Sequence, residues 1–242
     1  MAIPKIIHQV WEGKKEPKIP IRLRILADTW KEKNPSWEYH LWNADEMDEL
    51  VRTYFPEFLM IYQSFKYDVQ RWDAIRYMIL YHYGGVYADL DSECFRSIDS
   101  IVENYDVFFV QEPKEHVLQG YPIPFVGNAI MGSASFEKVW LDILGKIQDN
   151  VKLYNSNSLK NVYVLQTTGP LMISEVIHSN RNYLNRYVLP LVHTTPVSKQ
   201  DLVRYLRDGI NDFEKKLENV YFAHYFFGSW EKKLSLYKTP YL

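Results

Sequence analysis

A single cysteine, Cys94, in 242 residues excludes an internal disulfide and fits a reducing compartment. No stretch reaches the ~18 apolar residues of a membrane-spanning helix. The opening Met1-Ala2-Ile3-Pro4-Lys5 lacks the charged-then-apolar layout of a secretion signal, so a soluble cytoplasmic protein is expected. Positive charge is not in excess: 28 Lys and Arg stand against 30 Asp and Glu, for a net charge of −2, which argues against a nucleic-acid partner. There is no Walker-type Gly-Lys-Ser/Thr run to cradle a triphosphate, and no internal repeat, low-complexity tract or linker that would split the chain. What the sequence has in abundance is aromatic: 19 Tyr, 12 Phe and 7 Trp. Most of these fill a core, but Tyr and Trp also stack on bases and sugars. Near the C-terminus, Tyr237, Tyr241 and Leu242 with Lys232, Lys233 and Lys238 offer a weak contact with the inner face of a membrane, beside the plainer reading of a packed tail.

The length supports one well-buried domain spanning 1–242. Ile3–Trp11 reads as a central first strand, Ile21–Lys33 as a helix ending before Asn34-Pro35, Trp37–Trp42 as a second strand, and Asn43 as the N-cap of a second helix. This β-α-β-α opening predicts an α/β protein with a parallel sheet and covering helices. The clearest helix is Tyr67–Tyr83, with Val69, Trp72, Ile75, Ile79 and Tyr83 at helical spacing, closed by Gly84-Gly85. Strands are expected at Val86–Leu90, Tyr105–Gln111, Phe125–Met131 and Phe222–Phe227. Helices are expected over Ser135–Ile147 and from Gly169-Pro170 to about His178, with a proline-interrupted edge strand over Tyr187–Val197.

Asp89-Leu90-Asp91 follows an apolar strand and a Gly-Gly break. Where that strand gives way to a loop, both carboxylates can turn toward one hard cation, Mn²⁺ or Mg²⁺, which keeps open positions for phosphate. Such a cation neutralises charge on a departing nucleoside diphosphate. Asp73 and Arg76 lie three apart on one helical face. Their ordinary reading is a surface ion pair, but flanking Trp72, Ala74, Ile75 and Tyr77 point to partial burial and a role on sugar hydroxyls and phosphate. Trp11 ends the first strand, where a base could stack; His8 reads as a packed histidine. His224, followed by Gly228-Ser229-Trp230, can complete a mixed oxygen/nitrogen shell or meet a phosphate.

Four blocks in order, Ile3 to Trp11, Asp73-Ala74-Ile75-Arg76-Tyr77, Gly84 to Asp91, and His224 with Gly228-Ser229-Trp230, make the chain resemble the DXD-containing glycosyltransferase family 32. That family includes fungal initiating mannosyltransferases and bacterial capsular and lipopolysaccharide sugar transferases. More distantly, the chain is similar to the glucosylating domains of clostridial toxins. The resemblance implies a GT-A fold, a Rossmann-like αβα sandwich with a mostly parallel central sheet. It implies retaining, metal-dependent transfer from a UDP- or GDP-sugar to a glycan or lipid-linked oligosaccharide acceptor. Asp91 would bind the metal and Asp89 the ribose or the ion through water, with His224 as a further metal ligand. Trp11 would stack on the base, Asp73 and Arg76 would hold the donor sugar, and Tyr87 and Asn128 would line its pocket. His224, Ser229 and Trp230 would close over the diphosphate, and Thr168-Gly169-Pro170 would start an acceptor-side helix. On this scheme 1–100 forms mainly the donor and metal half, and 101–242 the acceptor side and closing segment. The family's apolar-proline ending after the acidic motif is replaced here by Arg96-Ser97-Ile98. Two rival readings stand beside it: a carbohydrate-binding module without catalysis, and a metal-dependent nucleotidyl- or phosphotransferase.

Overall fold

The β-branched run at Ile6-Ile7 lies in strand β1 (Ile6–Val10), inside a six-stranded sheet rather than at its edge. The computed structural model describes residues 2–14, 16–116, 124–154, 157–189, 194, 196–208 and 212–227. Helix α1 (Ile21–Lys33) leads to β2 (Glu38–Trp42), which pairs in parallel with β1 from Ile6↔Glu38 to Val10↔Trp42. Asn43 caps α2 (Ala44–Tyr54) as expected. Its side chain accepts from the amides of Asp45 and Glu46, and Glu46 reaches back to the Asn43 amide. Helix α3 (Leu59–Ser64) precedes α4 (Asp68–Tyr83), and β3 (Gly85–Ala88) then pairs in parallel with β1.

After β4 (Ser92–Cys94) come α5 (Asp99–Asn104), β5 (Val107–Gln111) and β6 (Val126–Ser133). The remaining elements are α6 (Lys138–Leu153), α7 (Lys160–Thr167), α8 (Pro170–Ser179), α9 (Arg181–Tyr187), β7 (Val188–Leu189), α10 (Lys199–Asp208), α11 (Asp212–Leu217) and β8 (Phe222–His224). The sheet order is β2-β1-β3-β6-β5-β7, and only β6 runs against the others. A mostly parallel sheet was the expectation. The reversal has a consequence for the site: it brings the N-terminal end of β6 to the edge where the parallel strands present their carboxyl ends. Strands β4 and β8 form a separate antiparallel ribbon.

Helix α4 differs most from its expected form. Its spacing suggests one apolar face, yet residues 73–80 are buried all round, Asp73 and Arg76 among them. The helix packs on β1, β3 and β6 and is covered by α2, α6 and α7, so its middle has neighbours on every side. Other departures are local. Helix α6 starts at Lys138, not Ser135, because the chain turns through Phe136 at φ 63, whose amide donates to the Tyr81 carbonyl at 2.6 Å. The proline-containing edge strand is confined to β7 among the described residues, and Tyr187 ends helix α9. The strand expected over Phe222–Phe227 ends at His224 and joins the ribbon, not the central sheet. No helix among the described residues is long and apolar enough to cross a membrane.

Gly84 and Gly85 end α4 and start β3 at φ 68 and 88. A Cβ at Gly85 would lie 2.6 Å from the Ile6 carbonyl oxygen, a backbone atom fixed by the sheet. Gly85→Ala therefore combines left-handed strain with a clash, and is expected to lower unfolding free energy by about 2–4 kcal/mol. Urea unfolding would read this as a lower midpoint at unchanged slope; an unmoved midpoint would mean β1 and β3 separate without cost.

Candidate active site

A cavity of about 760 Å³ opens where β1, β3 and β5 end, the edge at which open α/β sheets bind ligands. Its acidic centre is made by a turn. The Ser92 amide donates to the Asp89 carbonyl at 3.1 Å, so Asp89-Leu90-Asp91-Ser92 links β3 to β4. Leu90 packs into a hydrophobic cluster, and all three residues contribute to the cavity wall. The β4–β8 ribbon pairs Ser92 with His224, and the Tyr225 amide donates to the Asp91 carbonyl at 2.9 Å. Residues far apart in sequence are thereby fixed side by side. His224 Nε2 is 3.1 Å from Asp91 Oδ1 and 4.0 Å from Asp89 Oδ2. The Phe227 amide donates to Asp91 Oδ2 at 2.8 Å.

Burial alone would raise the Asp91 carboxyl and lower His224. The mutual attraction and hydrogen bond outweigh it, so Asp91 sits below the ordinary carboxylate range and His224 above the ordinary imidazole value. The imidazole sits where two carboxylates converge. One ligand atom each from Asp89, Asp91 and His224 can be chosen so that all lie within 4.8 Å of one another. Oxygen-preferring cations hold ligands at about 2.0–2.6 Å, which spaces those ligands roughly 3–5 Å apart. The set fits a divalent cation.

Beside this centre, Arg76 is a hub. Its Nη1 donates to the Asn128 carbonyl at 2.8 Å and lies 3.1 Å from Asp89 Oδ1. Its Nη2 is 3.3 Å from Asp73 Oδ1, Nε donates to the Trp72 carbonyl at 3.1 Å, and its plane lies 4.8 Å from the Tyr87 ring centroid. Asp73 and Arg76 are each 7% exposed at the side chain, so the surface-pair reading does not hold. Asp73 accepts from Asn128 Nδ2 at 2.9 Å and from the Thr168 hydroxyl at 2.8 Å. Asn128 also donates to the Tyr77 hydroxyl at 2.8 Å, and that hydroxyl donates to the Thr168 carbonyl at 2.6 Å. Tyr87 donates to Asp89 Oδ1 at 2.7 Å.

The expected residues thus converge: Trp11, Asp73, Arg76, Tyr87, Asp89, Asp91, Asn128 and His224 all line one cavity. Trp11 is partly buried, with its indole N–H donating to the Glu16 carbonyl at 2.8 Å. Ser229 and Trp230 lie outside the described residues. His8 is packed, as expected: it accepts from the Trp42 indole and donates through Nε2 to the Gly84 carbonyl, and burial lowers it to about 4. Thr168 precedes the Gly169-Pro170 start of α8, and its hydroxyl donates to Asp73. In the sequence Tyr77 reads as core; the one signal for this role is its place four residues after Asp73.

Burial pushes the Asp73 carboxyl up to about 6, against the pull of Arg76, Thr168 and Asn128. The ionised form pairs with Arg76, so kcat/KM is expected to fall on the acid side with a midpoint near pH 6. Asp73→Asn should remove that limb together with most of the activity; a flat profile from pH 5 to 8 would contradict this. Stability is the poorer readout. The raised Asp73 favours folding as pH falls from about 6 to 4, while the neutral His8, lowered to about 4, disfavours it over nearly the same window.

Residues 20–108 match the family described as "Glycosyltransferase sugar-binding region containing DXD motif". Inositol phosphoceramide mannosyltransferase 2 of Schizosaccharomyces pombe is 30% identical over 229 residues, covering 95% of this chain and 58% of the relative. The chain spans about half the length of the curated relatives it matches. Among solved structures, the PaToxG glycosyltransferase aligns with a TM-score of 0.57 at 16% identity, over 76% of this chain and 74% of that one. The UDP-bound glycosyltransferase domain of the YGT toxin gives 0.56 at 10%, over 78% and 79%. At such identities the structural likeness bears on the fold alone, which is the GT-A sandwich expected from the sequence.

Proposed function

The chain belongs to the DXD-containing glycosyltransferases, and from that membership we propose that it moves a sugar from a UDP- or GDP-linked donor to a hydroxyl-bearing acceptor, with retention at the anomeric carbon. The observation that carries this reading is one cavity holding both the Asp89, Asp91 and His224 ligand set and the Asp73, Arg76 and Asn128 network. A bound divalent cation, Mn²⁺ first and Mg²⁺ second, would supply charge neutralisation for the diphosphate. Trp11 offers a face to the base, and Tyr87 orients Asp89. Asp73 and Arg76 take the sugar hydroxyls and the phosphate edge. The acceptor oxygen bonds to the anomeric carbon on the face from which the phosphate oxygen departs. The leaving diphosphate takes the electron pair of the broken bond and then the acceptor proton, so no protein nucleophile is required.

The name of the fungal relative draws the sugar toward mannose and the acceptor toward an inositol-bearing lipid, and away from a capsular or lipopolysaccharide setting. A cytoplasmic reaction, with the acceptor at the inner face of a membrane, belongs to the same proposal. The test is release of UDP or GDP from a panel of nucleotide sugars with Mn²⁺, Mg²⁺ or EDTA. Cleavage of one donor class with metal and none with EDTA is expected. If every donor stays intact under all metals, the transferase reading fails.

A further inference from the structure

One polar pair in the cavity is assigned no role in the donor or cation chemistry above. Glu112 follows β5, and its backbone amide donates to the Phe125 carbonyl at 2.7 Å. His116 Nδ1 lies 2.7 Å from Glu112 Oε2, while His116 Nε2 accepts the Lys199 amide at 3.0 Å. That second bond fixes the tautomer: Nδ1 carries the hydrogen and donates to the carboxylate. With both ring nitrogens engaged, His116 orients the carboxylate and is not a free base. The side chains of His116 and Glu112 are 15% and 11% exposed and line the cavity. Among the described residues Oε1 has no hydrogen-bond partner. It lies against the Gly127 backbone, where an added Cβ would come within 2.3 Å of it. Gly127 immediately precedes Asn128, the residue that holds Asp73.

We propose that Glu112, held by His116, is an acceptor subsite that receives a hydrogen bond from a hydroxyl of a neutral polyol, a sugar or a cyclitol ring. The choice of ligand follows from charge and shape. A fixed carboxylate accepts from hydroxyls and repels phosphate, and Glu115 adds a second negative group to the same wall. Phe125 and Phe226 offer apolar faces to the C–H side of a ring. Phe226 is placed for this by a left-handed backbone, φ 52, and by an edge contact with His116 at 4.4 Å.

The proposal rests on the transferase reading, and its test separates the two. The nucleotide sugar cleaved by the wild-type chain is supplied with Mn²⁺ and a series of methyl α-mannoside, methyl α-glucoside, methyl β-galactoside and myo-inositol. Both glycoside formation and donor hydrolysis by water are followed. Glu112→Gln is expected to raise KM for the accepted polyol about tenfold or more and to lower the ratio of transfer to hydrolysis accordingly. His116→Gln, which unlocks the carboxylate without removing it, should give a smaller change in the same direction. An unchanged ratio in Glu112→Gln overturns the subsite, whether both rates persist or both fall together. So does a wild-type chain that hydrolyses donor but accepts none of the four polyols. A wild-type chain that cleaves no donor overturns the transferase reading, and this one with it.

Discussion

Asp91→Asn is expected to reduce metal-dependent cleavage of the donor by about a thousandfold or more, the scale of losing several kcal/mol of stabilisation of a departing diphosphate. The substitution is close to isosteric, and that makes it informative. The asparagine carbonyl can still accept the Phe227 amide that now reaches Asp91 Oδ2 at 2.8 Å, and the bond from the Tyr225 amide uses the backbone of residue 91. The β4–β8 ribbon therefore keeps its ties, and the melting temperature should move by only a few degrees. What is lost is the charge that holds His224 above its ordinary value and would draw a cation between them. Asp89→Asn should have a comparable effect on rate, with an added disturbance because Asp89 also receives Tyr87 and Arg76. Residual cleavage in either variant should no longer respond to EDTA. Wild-type rates in Asp91→Asn with excess EDTA would remove the cation from the mechanism.

Parts of the fold and of the candidate site were legible in the sequence, for reasons visible in particular residues. Asp89 and Asp91 stood out because an apolar strand and a Gly-Gly break frame them, and the structure adds the turn closed by Ser92. Helix α4 was legible as a helix but not as a central one, since periodicity reports a preferred face and cannot report neighbours on both sides. The pairing of β4 with β8 left almost no trace: Ser92–Cys94 is too short to show alternation, and its partner lies far along the chain. Yet that pairing is what carries His224 to the carboxylates. The short helices α3, α5, α9 and α11 span six or seven residues each, too few for a repeat to declare itself. Glu112 and His116 look like ordinary loop polars until the amide of Lys199 is seen to lock the ring. Contacts of that kind depend on tertiary approach, which a single sequence does not encode in any local pattern.

Arg76 is where site and fold depend on one another, and Arg76→Ala is expected to damage both. Arg76 is buried, which disfavours its charge, but Asp89, Tyr87 and Asp73 more than compensate and hold the guanidinium above its ordinary value. Its removal leaves two carboxylates without their cation, frees the Asn128 and Trp72 carbonyls, and opens space over the Tyr87 ring. Breaking a buried pair from one side costs about 3–5 kcal/mol, so a clear fall in melting temperature is expected together with near-complete loss of transfer. Arg76→Lys separates the two effects. Its single ammonium keeps the charge but cannot reach the Trp72 carbonyl, the Asn128 carbonyl, Asp73 and Asp89 at once, because the planar fork that spans them is gone. Stability should then recover in large part while kcat stays depressed about a hundredfold, the scale of losing one preorganised donor to the reacting group. If Arg76→Lys restored both equally, Arg76 would be no more than a counter-charge for the core. If Arg76→Ala kept its melting temperature, the network joining α4, β3 and β6 would not be what fixes the donor pocket.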